Sequence, residues 1–338
     1  MTTPQPTPGA LMDALIMLGR WLRHSGYRFI TVTPATHARV NRRSPDSEAN
    51  DLRDIFGWSR PFAPALLPSE IRSNLLAADL LFSEGPLLRS RVRFSTLGEQ
   101  LYAHSAYPTS GADAVFFGPD SHRFVALIEA ELSRLQLLAG ARILDVGCGG
   151  GPGGIAAALL ASQAPHSLPG SPGSQAVQET PPVLILADIN KCALQYASAN
   201  AALAGLERVR FVEGNLFEPL QESFDLVVAN PPYLVDAAAR TYRHGGGALG
   251  GGLSERIVAE GLPRLAPGGR LVLYTGAAIM AGADPLFDAI LPVLRASGFP
   301  FTYRELDPDV FGDELDTPAY AQADRIAAVA LVVHRPAS

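Results

Sequence analysis

The chain has 338 residues, 47% of them hydrophobic, with a formal net charge of −6; that length suggests two units, or one large domain with an extension, and ample material for a core. No apolar run reaches membrane length and the opening Met1-Thr2-Thr3-Pro4 lacks the layout of a signal peptide, so a cytoplasmic protein without membrane contact is expected. The acidic balance argues against broad, sequence-blind binding to phosphate backbones, and Cys148 and Cys192 have no metal-ligand spacing, so reduced thiols and no metal are expected.

Residues 1–9 are rich in Thr and Pro and read as frayed. Leu11, Leu15, Leu18 and Leu22 then recur at helical spacing and predict an amphipathic helix over residues 10–23. Residues 44–54 read as a loop or helix start. Residues 55–82, punctuated by Pro61, Pro64 and Pro68, read as helices broken by turns. Lys191 is the single lysine, so basic side chains are nearly all arginine, and Arg42-Arg43 and the group Arg89, Arg91 and Arg93 read as solvated faces. Arg91-Val92-Arg93-Phe94 and Gln100-Leu101-Tyr102-Ala103-His104 flank Thr96-Leu97-Gly98 as a hairpin. Residues 1–110 are therefore expected to form a smaller α+β domain.

Val115-Phe116-Phe117 runs into Gly118-Pro119 and a helix predicted to continue to about residue 138, with Asp120 or Ser121 as its cap. Phe117 and Arg123 are candidate substrate contacts at that helix start, with core packing the alternative for Phe116 and Phe117. Next, Ile143-Leu144-Asp145-Val146 reads as a buried strand, followed by Gly147-Cys148-Gly149-Gly150-Gly151-Pro152-Gly153-Gly154 and an Ala/Leu helix. Strand, glycine turn and helix form the ligand-binding opening of a doubly wound sheet. A dinucleotide fingerprint starting at Gly147 and Gly149 would need its third glycine at Pro152, and Gly149, Gly151 and Gly154 match only in a shifted register. Asp145 at the strand end suits a cationic ligand and would repel a pyrophosphate.

Residues 161–182 are rich in Ser, Pro, Gly and Gln and read as a flexible insertion. The second strand ends in Asp188, which can accept both ribose hydroxyls or cap the helix that follows. The third strand leads through Gly214 to Asn215, placed to meet an adenine edge. In the fourth, Leu226-Val227-Val228-Ala229 breaks off at Asn230-Pro231-Pro232-Tyr233, because proline cannot donate to a sheet ladder. The Asn230 side-chain oxygen and the Pro231 carbonyl can each accept one N–H of a flat NH2 group, with Tyr233 lying against it. That is catalysis by positioning; the alternative is a strand followed by a Pro-Pro turn. The glycine-dense segment from Arg240 to Gly252 carries Tyr242 and His244, candidate substrate contacts on a lid, or else links flexibly to a helix from Ser254; His244 or solvent can take a departing proton. Strands over residues 269–274, 301–306 and 326–333 complete the count, the last two as an antiparallel pair closing the edge. The expected fold is α/β, a doubly wound seven-stranded mainly parallel sheet with ligands across its carboxyl ends.

Asp145-Val146-Gly147-Cys148-Gly149, Asp188, Gly214-Asn215 and Asn230-Pro231-Pro232-Tyr233 together resemble, in order, the motifs of the class I S-adenosylmethionine-dependent methyltransferases, a Rossmann-like family, over residues 111–338. The resemblance implies S-adenosylmethionine as cofactor, with Asp145, Gly147 and Gly149 at its methionine end, Asp188 at the ribose, Asn215 at the adenine, and Asn230 serving cofactor and substrate. It implies catalysis by Asn230, Pro231 and Tyr233 on a planar nitrogen, as in release-factor glutamine N5-methyltransferases or nucleic-acid adenine-N6 and guanine-N2 methyltransferases. Asn215 stands where many relatives carry Asp, and its amide can still bond adenine; two features depart from the glutamine enzymes, Phe116-Phe117-Gly118-Pro119-Asp120 standing where they carry a Pro-Arg-Pro-Glu-Thr type of segment, and the glycine-dense stretch from Arg240 to Leu253 following the Asn-Pro-Pro-Tyr signature. An NAD-dependent dehydrogenase and a catalytically silent binding scaffold are the readings from other classes. Residues 1–140 carry 14 Arg against 13 acids and the remainder 13 basic residues against 20 acids. An electroneutral module on an acidic domain favours a protein or small-molecule acceptor over an RNA or DNA base.

Overall fold

The computed structural model describes residues 8–44, 47–133, 137, 140–163 and 180–337; most of the insertion expected at 161–182 lies outside them. The chain divides into two compact units, one holding the residues up to Arg123 with Gly149–Pro152 and Lys191–Glu207, the other Phe124–Cys148, Gly153–Asn190 and the residues from Arg208. In chain order the first part runs α1 (Pro8–His24), α2 (Pro34–Arg42), α3 (Leu52–Phe56), α4 (Ser69–Ala77), β1 (Leu81–Glu84), β2 (Leu87–Ser90), β3 (Val92–Leu97), β4 (Gln100–Ser105) and α5 (Pro119–Leu132). There follow β5 (Arg142–Val146), α6 (Pro152–Gln163), β6 (Val183–Asp188), α7 (Lys191–Leu203), β7 (Val209–Glu213) and β8 (Phe224–Ala229). The chain ends with α8 (Gly252–Gly261), β9 (Leu265–Ile279), α9 (Pro285–Ser297), β10 (Phe301–Asp307) and β11 (Arg325–His334).

In the first unit, the leucine spacing of α1 puts Leu15, Leu18 and Leu22 wholly inside, each contributing roughly 2 kcal/mol by leaving water. They share a core with Tyr196, Ala199 and Leu203 of α7, and Gly19 is a glycine because a Cβ there would come within 2.5 Å of Leu203. The predicted hairpin is present as β3 and β4. A second hairpin, β1 with β2, begins inside the segment expected to be broken helices; Leu80-Leu81-Phe82 is too short an apolar run for periodicity to separate strand from helix. Every residue of β3 is buried. Arg93 is accordingly no part of a solvated face: it is 3% exposed, its Nε donates to the Ser105 carbonyl at 3.0 Å, and burial pulls its guanidinium down to about 10.

The second unit is built on a seven-stranded sheet in the order β10-β11-β9-β8-β5-β6-β7. Strands β5 to β9 pair in parallel, and β11 pairs antiparallel with both β9 and β10, so the expected antiparallel pair closes one edge. The central parallel strands β5, β6 and β8, covered on both faces, read as unbroken apolar runs, which is why they were legible. The small residues of α6 serve the same burial: seven of its positions, from Gly153 to Ala161, are buried. Chain order reverses at β5, whose neighbours are β6 and β8, and ligands of doubly wound sheets bind beyond the carboxyl ends at such a switch. Val146 is level with Ala187 on one side and Ala229 on the other, so Gly147, Asp188 and Asn230 leave three adjacent strands together. Among the described residues, no helix is long and apolar enough to cross a membrane.

Candidate active site

Beyond β5 the backbone turns sharply, the N–H groups of Gly147 and Cys148 both donating to the Ala187 carbonyl at 2.9 and 3.0 Å. Gly147 and Gly149 have φ of 67° and 54°, and a Cβ at either would meet nothing within 4 Å. The turn needs glycine for its left-handed conformation, and its surface is open to close approach by a ligand. Asp145 sits beneath, 1% exposed, accepting the Gly154 N–H at 2.7 Å. Burial pushes its carboxyl up to about 7, with a smaller contribution from Asp188 and opposition from the Gly154 bond. This side chain ties the sheet to the start of α6, and Gly154 is a glycine because a Cβ would come within 2.8 Å of the Asp145 Cβ. Cys148 is buried, and burial pushes its thiol well up, so it is no nucleophile.

Asp188 closes β6 and accepts the Asn190 N–H on Oδ1 at 2.8 Å. The next residue, Ile189, is 60% exposed. An apolar side chain held in water beside a strand-end carboxylate is what the flat face of a base would cover; sequence reading passed over it because a lone isoleucine after a strand looks like core. Asn215 follows β7 and is held from both ends: its amide nitrogen donates to Glu218 at 2.9 Å and its oxygen accepts from Arg256 at 3.1 Å. Arg256 itself pairs with Glu260 one turn on in α8.

Asn230 stands half-buried one residue past β8, and its side-chain amide takes no protein partner among the described residues. A half-buried amide with unused donors and acceptor is costly to leave dry, so it is suited to a ligand. Pro231 is buried behind it. The Tyr233 ring is 8% exposed and packs edge-on to Tyr274 and Phe311 at 6.5 and 5.7 Å, lying so close to Gly276 that no Cβ fits there. Tyr233 thus forms a wall fixed from behind.

The segment expected to be a lid or a flexible link is instead bonded at every turn. Asp236, 7% exposed, takes the Arg240 guanidinium on both oxygens and its backbone N–H on Oδ2, and these bonds hold its carboxyl down to about 2. Arg243 bridges Asp236 and Glu314. Tyr242 receives the other arm of Arg240 on its hydroxyl at 3.1 Å. His244 Nδ1 accepts the Asp236 N–H at 3.2 Å. Tyr320 accepts the Val235 N–H at 2.9 Å and donates to the Leu249 carbonyl at 3.4 Å. The glycines serve this closure: a Cβ at Gly245 or Gly250 would lie under 3.0 Å from backbone atoms of residues 232–234.

Residues 137–273 match the methyltransferase-domain family. A release factor glutamine methyltransferase of Deinococcus radiodurans is 33% identical over 218 residues, which cover 61% of this chain and 66% of that protein. One from Xylella fastidiosa is 34% identical over 162 residues, covering 44% of this chain and 52% of its own length. The chain therefore matches less than two thirds of the length of these relatives. A SAM-dependent methyltransferase from Agrobacterium tumefaciens superposes with a TM-score of 0.46 at 14% identity, over 76% of this chain and 72% of that one. The match favours the methyltransferase resemblance over the dinucleotide alternative.

Two candidate substrate residues lie in the first unit. Phe117 is 2% exposed and stacks with Tyr102 and His104, ring centres 5.5 and 5.2 Å apart, so its partners are those of a core side chain. Arg123 is partly exposed, pairs with Asp120 at 3.1 Å and lines a cavity of about 420 Å³ with Ile30, Thr31, Pro119 and His122. Thr31 and Ile30 gave no signal in sequence, since isolated residues of a loop carry no period.

Proposed function

We propose that this methyltransferase transfers a methyl group from S-adenosylmethionine to a planar amide or exocyclic amino nitrogen of a protein or small-molecule acceptor. The observation that carries this reading is the Asn230 amide, half-buried at the switch point of the sheet and without a protein partner among the described residues. The residues present suit the donor: an open glycine turn at Gly147 and Gly149 for its methionine end, Asp188 for the ribose, and exposed Ile189 with Asn215 for the adenine. When bound, S-adenosylmethionine supplies an electrophilic methyl carbon on a cationic sulfur.

Asn230 Oδ1 and the Pro231 carbonyl accept the two N–H groups of the acceptor, which points the nitrogen lone pair away from its plane of conjugation. Tyr233, clamped by Tyr274, Phe311 and the Gly276 backbone, limits where the planar group can lie. Transfer to a neutral nitrogen disperses charge, so a water-poor site with carbonyl acceptors needs no strong base. Once the bond to nitrogen has formed, the surplus proton leaves to solvent. The protein-named relatives and the acidic charge of the chain support a non-nucleic-acid acceptor.

Incubation with radiolabelled S-adenosylmethionine and cell lysate, followed by separate nuclease, protease and small-mass-filter treatments, tests the reading. Label lost with protease or through the filter is expected. Label lost with nuclease alone would overturn the acceptor class and move the reaction to RNA or DNA.

A further inference from the structure

Asn200 lies in the last turn of α7 with 1% of its surface exposed, and every polar atom of its side chain is used. Its Oδ1 accepts the Ala103 N–H at 2.7 Å, and its Nδ2 donates to the Ala103 carbonyl at 3.1 Å and to the Gly150 carbonyl at 2.9 Å. β3 and β4 form a two-stranded sheet among the described residues; on the outer edge of β4 the Ser105 N–H donates to the Val115 carbonyl, and Asn200 satisfies Ala103 as a third strand would. The remaining N–H is spent on the glycine turn.

Gly150 stands between Gly149 and Gly151, whose φ values are 54° and 81°. Glycines on both sides can reach mirror conformations at little cost, so their own sterics do not fix the orientation of the peptide between them. The bond from Asn200 supplies that constraint, and a Cβ on Gly150 would stand 3.3 Å from the same Nδ2. One buried amide therefore joins strand β4 of the N-terminal module to the Gly150–Gly151 peptide of the glycine turn.

We propose that Asn200 is a positioning residue that couples the order of β4 to the conformation of the glycine turn, so that loading the turn and ordering the module favour each other. By linkage the effect is reciprocal: whatever stabilises β4 raises affinity for the cofactor, and the cofactor stabilises β4. The inference rests on the reading that the glycine turn holds S-adenosylmethionine.

The test uses the full chain with S-adenosylhomocysteine as probe, read by calorimetry and by hydrogen–deuterium exchange over residues 100–105. In the unmodified protein, saturating probe is expected to slow exchange there. Asn200→Asp keeps the shape but turns an oxygen toward two carbonyls; it should bind the probe at least about tenfold more weakly and, at saturation, show no added protection over residues 100–105. Gly150→Ala presses on the same contact from the turn and should also lose the protection, which keeps the test decisive if Asn200→Asp does not fold. Equal protection in the unmodified protein and both variants would overturn the coupling. So would a probe that binds the unmodified protein and leaves residues 100–105 unprotected. An unmodified protein that does not bind the probe removes the cofactor reading, and this inference with it.

Discussion

At Gly147 and Gly149 a Cβ atom would meet nothing within 4 Å, whereas at Gly245 and Gly250 it would lie less than 3.0 Å from the carbonyl oxygens of Gly250 and Tyr233. Two stretches of similar composition thus use glycine for opposite ends. In the first, the missing side chain leaves a surface that a ligand can approach; in the second, it lets the chain pack on its own backbone, with Asp236, Arg240, Arg243 and Glu314 locking the result. Glycine density alone does not separate a binding turn from a closed one. The neighbours a Cβ would meet do.

The comparison can be broken most forcefully at the open end. Asn230→Ala should lower label transfer to the acceptor fraction by about 10²–10³-fold, the usual loss for one positioned hydrogen-bonding group, with the dissociation constant for S-adenosylmethionine changing by less than about tenfold. Undiminished transfer would remove Asn230 from catalysis. At the closed end, Gly250→Ala combines a left-handed φ of 83° with a clash against the Tyr233 carbonyl and should cost about 2–4 kcal/mol in denaturant unfolding. Little change there would show that the segment has slack.

Acid should open the same closed segment. The Arg240 bonds hold the folded Asp236 carboxyl down to about 2, below its unfolded value near 3.9. Its stability contribution is therefore present above about pH 4 and lost as pH falls toward 2, an effect of about 2 kcal/mol. Asp236→Asn should abolish that step in pH-dependent melting; an unchanged step would place it elsewhere. Asp145 behaves in the opposite sense, being raised to about 7 by burial, so its contribution is full below about pH 4 and declines as pH rises through 7. A cationic ligand beside it would favour the carboxylate, and affinity for S-adenosylmethionine should then be about tenfold weaker at pH 6 than above pH 7. A flat profile would confine Asp145 to holding Gly154.

The central strands β5, β6 and β8 were legible because they are covered on both faces and read as unbroken apolar runs ending at Gly147, Asp188 and Asn230. The β1–β2 hairpin was not, since short apolar runs have no distinguishing period. Side-chain access was legible least. Asp145 was legible as a strand-end carboxylate, but its burial and its bond to the Gly154 N–H were not. Arg93 belonged to a string of arginines read as solvated, yet it lies on the fully buried β3. Asn200 sits in an Ala-rich helix where an amide gives no hint of its three long-range bonds.

The most direct test of the contrast between the two stretches is calorimetric titration of S-adenosylhomocysteine into Gly149→Ala. Its Cβ would enter open space at a φ of 54°, so the fold should lose only about 1–2 kcal/mol while affinity for the probe falls at least about tenfold. Unchanged affinity in a folded Gly149→Ala chain would contradict the assignment of the open turn as the cofactor site.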